Sequence, residues 1–303
     1  MSMRAVRLHG SGGADDLALD EVAIPRLESG DALVRVHAAL TRDELEWPVD
    51  RLPAIPSYEV AGVVVDVAPG VIDVAAGDAV YALTPFDRDG AAAEYVAVPA
   101  ELLGRKPSAV SAVESAALPM PGLTAWQGLF DHGRLEAGER VLILGAAGGV
   151  GQLATQLAHE HGAYVIGTAS GAGIQRAHEL GADEAIAASA PFQKTLAAVD
   201  LVFDTVGGEV LSRSAAALRD GGRLVSVAEK PSEHSGHEIS TTYFVVEPSR
   251  EQLEQLTRVT DAGNLRVDID SVFTLDAARA AFERVQAHGK CGKVVLEIEG
   301  NGS

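Results

Sequence analysis

Residues Arg140 to Gly151 read RVLILGAAGGVG: an apolar strand, a glycine-crowded turn, and then Val150, Leu153, Ala154, Leu157 and Ala158 at helical spacing. A dinucleotide-binding βαβ unit begins in this way. Gly148 and Gly149 leave no Cβ between backbone and ligand, and Gly151 lets the helix lie close against its strand. A pyrophosphate is expected to rest on the amides of Ala147, Gly148, Gly149 and Val150, at the positive end of that helix. Gly162 follows as the helix C-cap, and the next strand, AYVIGTAS, ends at Ser170, where the ribose-reading residue belongs.

Outward from this unit, strands and helices alternate: a helix through IQRAHELGA (174–182), strand DLVFDTV (200–206), a helix through EVLSRSAAALRD (209–220), strands GRLVSVA (222–228) and TYFVV (242–246). Such alternation predicts a parallel, doubly wound sheet with ligands at the C-terminal strand ends. The first hundred residues differ. DALVRVHAAL, EVAGVVVDVA, GDAVYAL and AAAEYVAVPA are short strands between Gly, Pro and Asp turns, which suggests a β-barrel-like domain. Between 111 and 133 the pattern is helical. After 248 come helix SREQLEQLTRVTDAG, strand NLRVDID, helix LDAARAAFERVQAHG and strand KVVLEIE. The expected architecture is α/β, with two domains packed about a cleft.

With 303 residues, 47% hydrophobic and 22% charged, the composition is that of a globular protein of about two domains. A net charge of −19 argues against nucleic acid or an anionic membrane as partner. The N-terminal residues hold no apolar signal region and no run of about 18 apolar residues occurs, so a cytoplasmic protein is expected. Cys291 is the single cysteine, so neither an intrachain disulfide nor a thiolate metal cluster is possible. His234 and His237, in HSGH, are the one close histidine pair, and a third ligand is missing from their surroundings.

In order, MRAVRL, PSYEVAGVV, GDAVYAL, AEYVAVPA, AALPMPGLTAW, ILGAAGGVG, LGAD, DTVGG, GGRLVSV and GKVVL resemble the medium-chain dehydrogenase/reductase superfamily, in its zinc-free quinone oxidoreductase branch. The resemblance covers nearly the whole chain. It implies a GroES-like β-barrel catalytic domain over 1–115 and 250–303, a Rossmann domain over 116–249, and relatives that dimerise by joining sheet edges. Ala146 with Gly148 and Gly151 matches that branch's variant of the glycine turn. Short-chain dehydrogenases, a rival Rossmann family, need a Lys four residues after a Tyr. Tyr58, Tyr81, Tyr95, Tyr164 and Tyr243 are followed at that distance by Gly62, Pro85, Pro99, Thr168 and Glu247.

Where zinc-dependent members have a cysteine this chain has Thr41, and where they have a histidine it has Tyr58; hydroxyls do not replace thiolate and imidazole. Glu59 keeps the family's acidic position, either turned inward or holding the loop. The implied activity is NAD(P)H-dependent reduction of a quinone or α,β-unsaturated carbonyl without zinc or flavin, since a nicotinamide delivers hydride by itself. Tyr58, Asp43 and Thr41 are the groups the resemblance points at the acceptor. Tyr58 is either a proton donor or a residue that packs the wall, and Asp43 either relays a proton or caps the next segment. Arg42 and Lys293 are candidates for cofactor phosphates, each with a solvated surface role as the alternative. Thr124, Val206, Ala228, Phe244, Val245 and Val246 are the implied cofactor contacts along the crevice.

Ser170 stands where an NAD-specific unit presents Asp or Glu, which permits a 2′-phosphate and favours NADPH, with NADH as the alternative. The basic residue that secures such a phosphate does not follow directly; the nearest cation in sequence is Arg176. Rival functions are a tailoring enone reductase for one secondary metabolite, and an NAD(P)H-binding redox sensor or structural protein without turnover.

Overall fold

Alternating Val and Ala side chains decide the first part of the chain. The computed structural model describes residues 1–10, 13–40, 51–232, 238–287 and 292–298. Strands β1 (Ser2–Leu8) and β2 (Leu17–Ala23) form an antiparallel hairpin. Strand β3 (Asp31–Leu40) pairs β4 (Glu59–Val67) along one edge and β6 (Tyr95–Pro99) at the start of the other. Strands β5 (Ala79–Leu83) and β7 (Gly104–Arg105) extend the sheet beyond β4. Two register shifts between β3 and β4 mark bulges, which bend and twist a sheet. Val34, Val36, Val60, Val64, Val80, Val96 and Val98, all buried, fill the face that this alternation turns inward.

Helix α1 (Ala112–Ala116) opens on a capping box, with Ser111 accepting from the Glu114 amide and Glu114 accepting from the Ser111 amide. Helix α2 (Pro119–Trp126) runs into a π-helical segment, Gln127–His132.

Six strands then build a second sheet: β8 (Arg140–Leu144), β9 (Tyr164–Ala169), β10 (Glu184–Ala187), β11 (Val199–Asp204), β12 (Leu218–Ser226) and β13 (Ser240–Tyr243). Every pairing is parallel, and the order β10-β9-β8-β11-β12-β13 reverses between β8 and β11. This is the dinucleotide-binding strand order, in which ligands sit beyond the carboxyl ends of the strands at the reversal. Helices α3 (Gly151–Glu160), α4 (Gly173–Glu179), α5 (Phe192–Thr195) and α6 (Gly208–Ser214) connect them. Helix α3 ends as its sequence implies, with Gly162 at φ +84°.

The tail adds α7 (Arg250–Asp261), β14 (Ile269–Thr274), α8 (Ala278–Gln286) and β15 (Lys293–Glu297); β15 pairs β3 and β14, which returns the chain to the first sheet. Tyr81 ties α7 to β5: its buried hydroxyl donates to the Leu253 carbonyl at 2.6 Å and lies 3.0 Å from Thr257 Oγ1. Burial pushes the Tyr81 phenol well above the ordinary tyrosine range. The chain divides into two compact units, Met1–Met120 with Pro248–Ser303, and Pro121–Glu247. No helix among the described residues is long and apolar enough to cross a membrane.

Local pattern misplaces three elements. The helix expected to run to Asp220 stops at Ser214, because Leu218 is already paired with Val199 in the sheet and Ala215 and Ala217 are drawn into the core beside Phe192. The strand expected over 264–270 begins only at Ile269, where β15 offers a parallel partner. TYFVV is strand only through Tyr243. The hairpin β1–β2, strand β10 and the single-turn α5 are additional.

Candidate functional site

The glycine turn is fastened from behind. The amides of Gly145 and Ala146 both donate to the Thr168 carbonyl, at 3.1 and 2.9 Å, and Gly145 also reaches Thr168 Oγ1. From α3, the buried Thr155 hydroxyl donates to the carbonyls of Gly151 at 2.8 Å and Ala146 at 3.2 Å. A Cβ on Gly151 would collide with the Gly145 carbonyl, so this glycine serves close packing of helix on turn. Gly148 is different: it is exposed, and its nearest neighbour to a new Cβ is Gly145 O at 3.2 Å. The amides of Ala147, Gly149 and Val150 donate to no acceptor among the described residues. Three partly exposed N–H groups at the positive end of a ten-residue helix form a cradle for an anion.

The ends of β11 and β12 are held by one carboxylate. Asp204, fully buried at the end of β11, accepts from the amides of Val206 (3.1 Å) and Gly207 (3.0 Å) and from Ser226 Oγ (2.6 Å) at the end of β12. Ser226 Oγ in turn accepts from the amides of Ala228 and Glu229. Glu229 accepts from the Gly208 amide at 2.9 Å, which closes the network between the two loops. Val206 is thereby presented to solvent, 53% exposed. A buried carboxylate with three such donors is satisfied and rigid.

Beyond β13, Phe244 packs its ring 4.4 Å from that of His132, and the buried Gln127 exchanges two hydrogen bonds with Glu247, Nε2 to the carbonyl at 2.8 Å and Oε1 from the amide at 3.1 Å. Phe244 and Val246 are buried between these ties while Val245 is 58% exposed. Thr124 lies one turn before Gln127 and is buried.

Ala147 to Val150, Ser170, Val206, Ala228 and Phe244 to Val246 follow the carboxyl ends of strands of one parallel sheet. Lys293 belongs to the other unit, where it opens β15 with its amide on the Asp268 carbonyl at 2.8 Å. Tyr58 is also in that unit. It is 1% exposed, its ring meets Phe86 edge-on at 5.3 Å, and its carbonyl accepts from Thr84. Glu59 turns inward and accepts from the Met120 amide at 2.9 Å, so the carboxylate sits on the first turn of α2. Thr41, Arg42, Asp43, His234, His237 and Cys291 lie outside the described residues. Among the described residues no three His, Cys, Asp or Glu side chains come together in a group that could hold a metal ion.

Four supporting residues escape sequence reasoning: Thr155, Asp204, Ser226 and Gln127. Thr155 acts locally, four residues after Gly151 on the same helix, and Asp204 and Ser226 each hold amides two and three residues on. The bonds that join Asp204 to Ser226 and Gln127 to Glu247 span 22 and 120 residues of chain.

Comparison with known proteins agrees with this geometry. Residues 28–108 match the alcohol dehydrogenase GroES-like domain, and residues 180–296 match a family described as zinc-binding dehydrogenase. A probable zinc-binding oxidoreductase, mitochondrial, of Arthroderma benhamiae is 32% identical, the alignment covering 90% of each chain. An NADPH-dependent alkenal/one oxidoreductase, chloroplastic, of Arabidopsis thaliana is also 32% identical, over 94% of this chain and 77% of its own. The solved quinone oxidoreductase of Coxiella burnetii superposes with a TM-score of 0.89 at 29% identity, over 99% of this chain and 100% of that one. With a GroES-like unit joined to a parallel sheet of dinucleotide-binding order, the chain belongs to the medium-chain dehydrogenase/reductase superfamily of nicotinamide-dependent oxidoreductases, among its quinone and alkenal/one oxidoreductase relatives.

Proposed function

We propose that the protein is an NADPH-dependent, zinc-independent reductase that passes hydride to a quinone or an α,β-unsaturated carbonyl. The observation that carries this reading is the turn in which Ala147, Gly149 and Val150 keep their amides free for an anion, followed one strand later by the uncharged, exposed Ser170. The relatives named as alkenal/one and quinone oxidoreductases support the acceptor class. The donors at hand do not suit zinc: the chain has one cysteine, Tyr58 offers a phenol, and Glu59 already accepts from Met120.

A bound nicotinamide supplies the hydride. In this reading the turn amides hold the pyrophosphate, and Thr124, Val206, Ala228 and Phe244 to Val246 align the cofactor along the strand ends. Arg42 and Lys293 add cations for phosphate. Tyr58 hydrogen-bonds the acceptor's oxygen and returns a proton to it, with Thr41 and Asp43 as further acceptor-side groups. Conjugated acceptors need no Lewis acid, because hydride adds to a carbon that the carbonyl already polarises, and the oxygen that gains the electron pair needs only a proton.

Reduced-nicotinamide absorbance, followed with benzoquinone, a simple enone and a saturated aldehyde in the presence of a chelator, tests the reading. Turnover of the first two alone is expected, and Tyr58→Phe should lower kcat by roughly 10²-fold. Tight cofactor binding without turnover of any acceptor, or activity that tracks stoichiometric zinc, would refute it. An unchanged kcat in Tyr58→Phe would remove the tyrosine as donor.

The same reading makes the protein a cytoplasmic homodimer with no nucleic-acid or membrane partner. Strand β13 pairs only β12 among the described residues and so ends the sheet with an open edge suited to a second copy. Light scattering should give twice the chain mass.

A further inference from the structure

We propose that Arg213, on α6, is the residue that receives the 2′-phosphate of the cofactor. The inference rests on the NADPH reading above and names the cation that sequence order alone does not find. Arg176, the nearest in sequence to Ser170, is paired with Glu179 at 3.1 Å.

Strands β9 and β10 end side by side, with Ala169 opposite Ala187 and the Ala188 amide on the Ala169 carbonyl at 2.8 Å. Just past these ends lies a cavity of about 480 Å³ lined by Ser170, Ala188, Ser189, Glu209 and Arg213 among others. Ser170 is the ribose-reading position, so a 2′-substituent there enters or borders this cavity. The Arg213 guanidinium is held from two sides: Nη2 donates to the Ala188 carbonyl, and Cζ stands 4.7 Å over the Phe192 ring. It meets no carboxylate and donates no other hydrogen bond among the described residues, in a chain of net charge −19. Nη1 is left to donate. A half-buried planar fork, fixed in orientation and open on one edge, suits a phosphate dianion flanked by the hydroxyls of Ser170 and Ser189.

Glu209 lines the same cavity one turn earlier on α6 and opposes a phosphate. It is exposed on a flexible side chain and forms no ion pair with Arg213, so it can swing outward while Arg213 cannot. Its removal should therefore raise the preference that Arg213 creates.

Titration calorimetry with two fragments that lack the nicotinamide, 2′,5′-ADP and 5′-AMP, isolates the 2′-phosphate from catalysis. The protein should bind 2′,5′-ADP roughly 10-fold or more tightly than 5′-AMP. Arg213→Gln should abolish that ratio and leave 5′-AMP affinity unchanged, Arg213→Lys should keep part of it, and Glu209→Gln should raise it. Ser189→Asp, an exposed change that leaves the Arg213 packing alone, should lower it even if Arg213→Gln fails to fold. An undiminished ratio in both folded Arg213→Gln and Ser189→Asp overturns the assignment while the NADPH reading stands. No preference in the unmodified protein overturns both. A preference lost in Arg213→Gln supports the assignment whatever the acceptor assays give.

Discussion

Gly148 in the turn and Gly151 at the start of α3 should fail in opposite ways. A Cβ on Gly151 would overlap the Gly145 carbonyl oxygen and lie 2.7 Å from the carbonyl carbon and 3.0 Å from Ala146 Cα, all backbone atoms with no rotamer to change. Carbon atoms settle at about 3.5–4.0 Å, so helix and turn must part by roughly 1 Å. Overpacking of this kind costs about 1–3 kcal/mol, and backbone obstruction puts Gly151→Ala at the upper end. At about 2–4 °C per kcal/mol for a domain of this size, the melting temperature should drop by about 6–12 °C. The Ala147, Gly149 and Val150 amides move with the turn, and a 1 Å misplacement lowers kcat/KM by roughly 10²-fold. Gly148→Ala meets only Gly145 O, at 3.2 Å, and its φ is not left-handed, so the unfolded chain's lost freedom offsets the contact and stability should change by under about 1 kcal/mol. Its methyl instead stands where the pyrophosphate approaches, and cofactor affinity should fall at least about 10-fold. Circular dichroism melts without cofactor, followed by calorimetric titration of cofactor, separate the two. Wild-type melting and binding in Gly151→Ala, or equal destabilisation by both variants, would refute the reasoning.

Ser226→Ala removes the shortest bond to the buried Asp204 carboxylate and both loop amides' acceptor, so it should cost about 1.5–3 kcal/mol and weaken cofactor binding together; denaturant unfolding and titration read the two. Tyr81→Phe removes the bond to the Leu253 carbonyl, which keeps its helical donor, and should cost about 0.5–1.5 kcal/mol in the same unfolding assay. Because the folded phenol titrates above the unfolded one, its contribution is complete below about pH 10 and declines as pH rises further, since only the unfolded chain then loses its proton. Unfolding free energy followed from pH 8 upward should fall in wild type more steeply than in Tyr81→Phe.

Periodicity and turn chemistry alone determine much of this protein. A strand, a glycine turn and a helix at RVLILGAAGGVG, with alternation beyond it, are enough to define a doubly wound nucleotide-binding sheet, because each signal is confined to a few neighbouring residues. The same locality explains Ser170, one strand from the turn. Pairing across the sheet decided the rest. Leu218 is drawn into β12 against the helical preference of the alanines before it, since Val199 supplies a strand partner and the core takes Ala215 and Ala217. Asp204 and Ser226, and Gln127 and Glu247, are hydrogen-bonded, and Ser170 and Arg213 line one cavity, only in the assembled sheet. A contact between residues far apart in sequence leaves no spacing to read, so Arg213 is found lining the cavity past Ser170 only once the sheet is assembled.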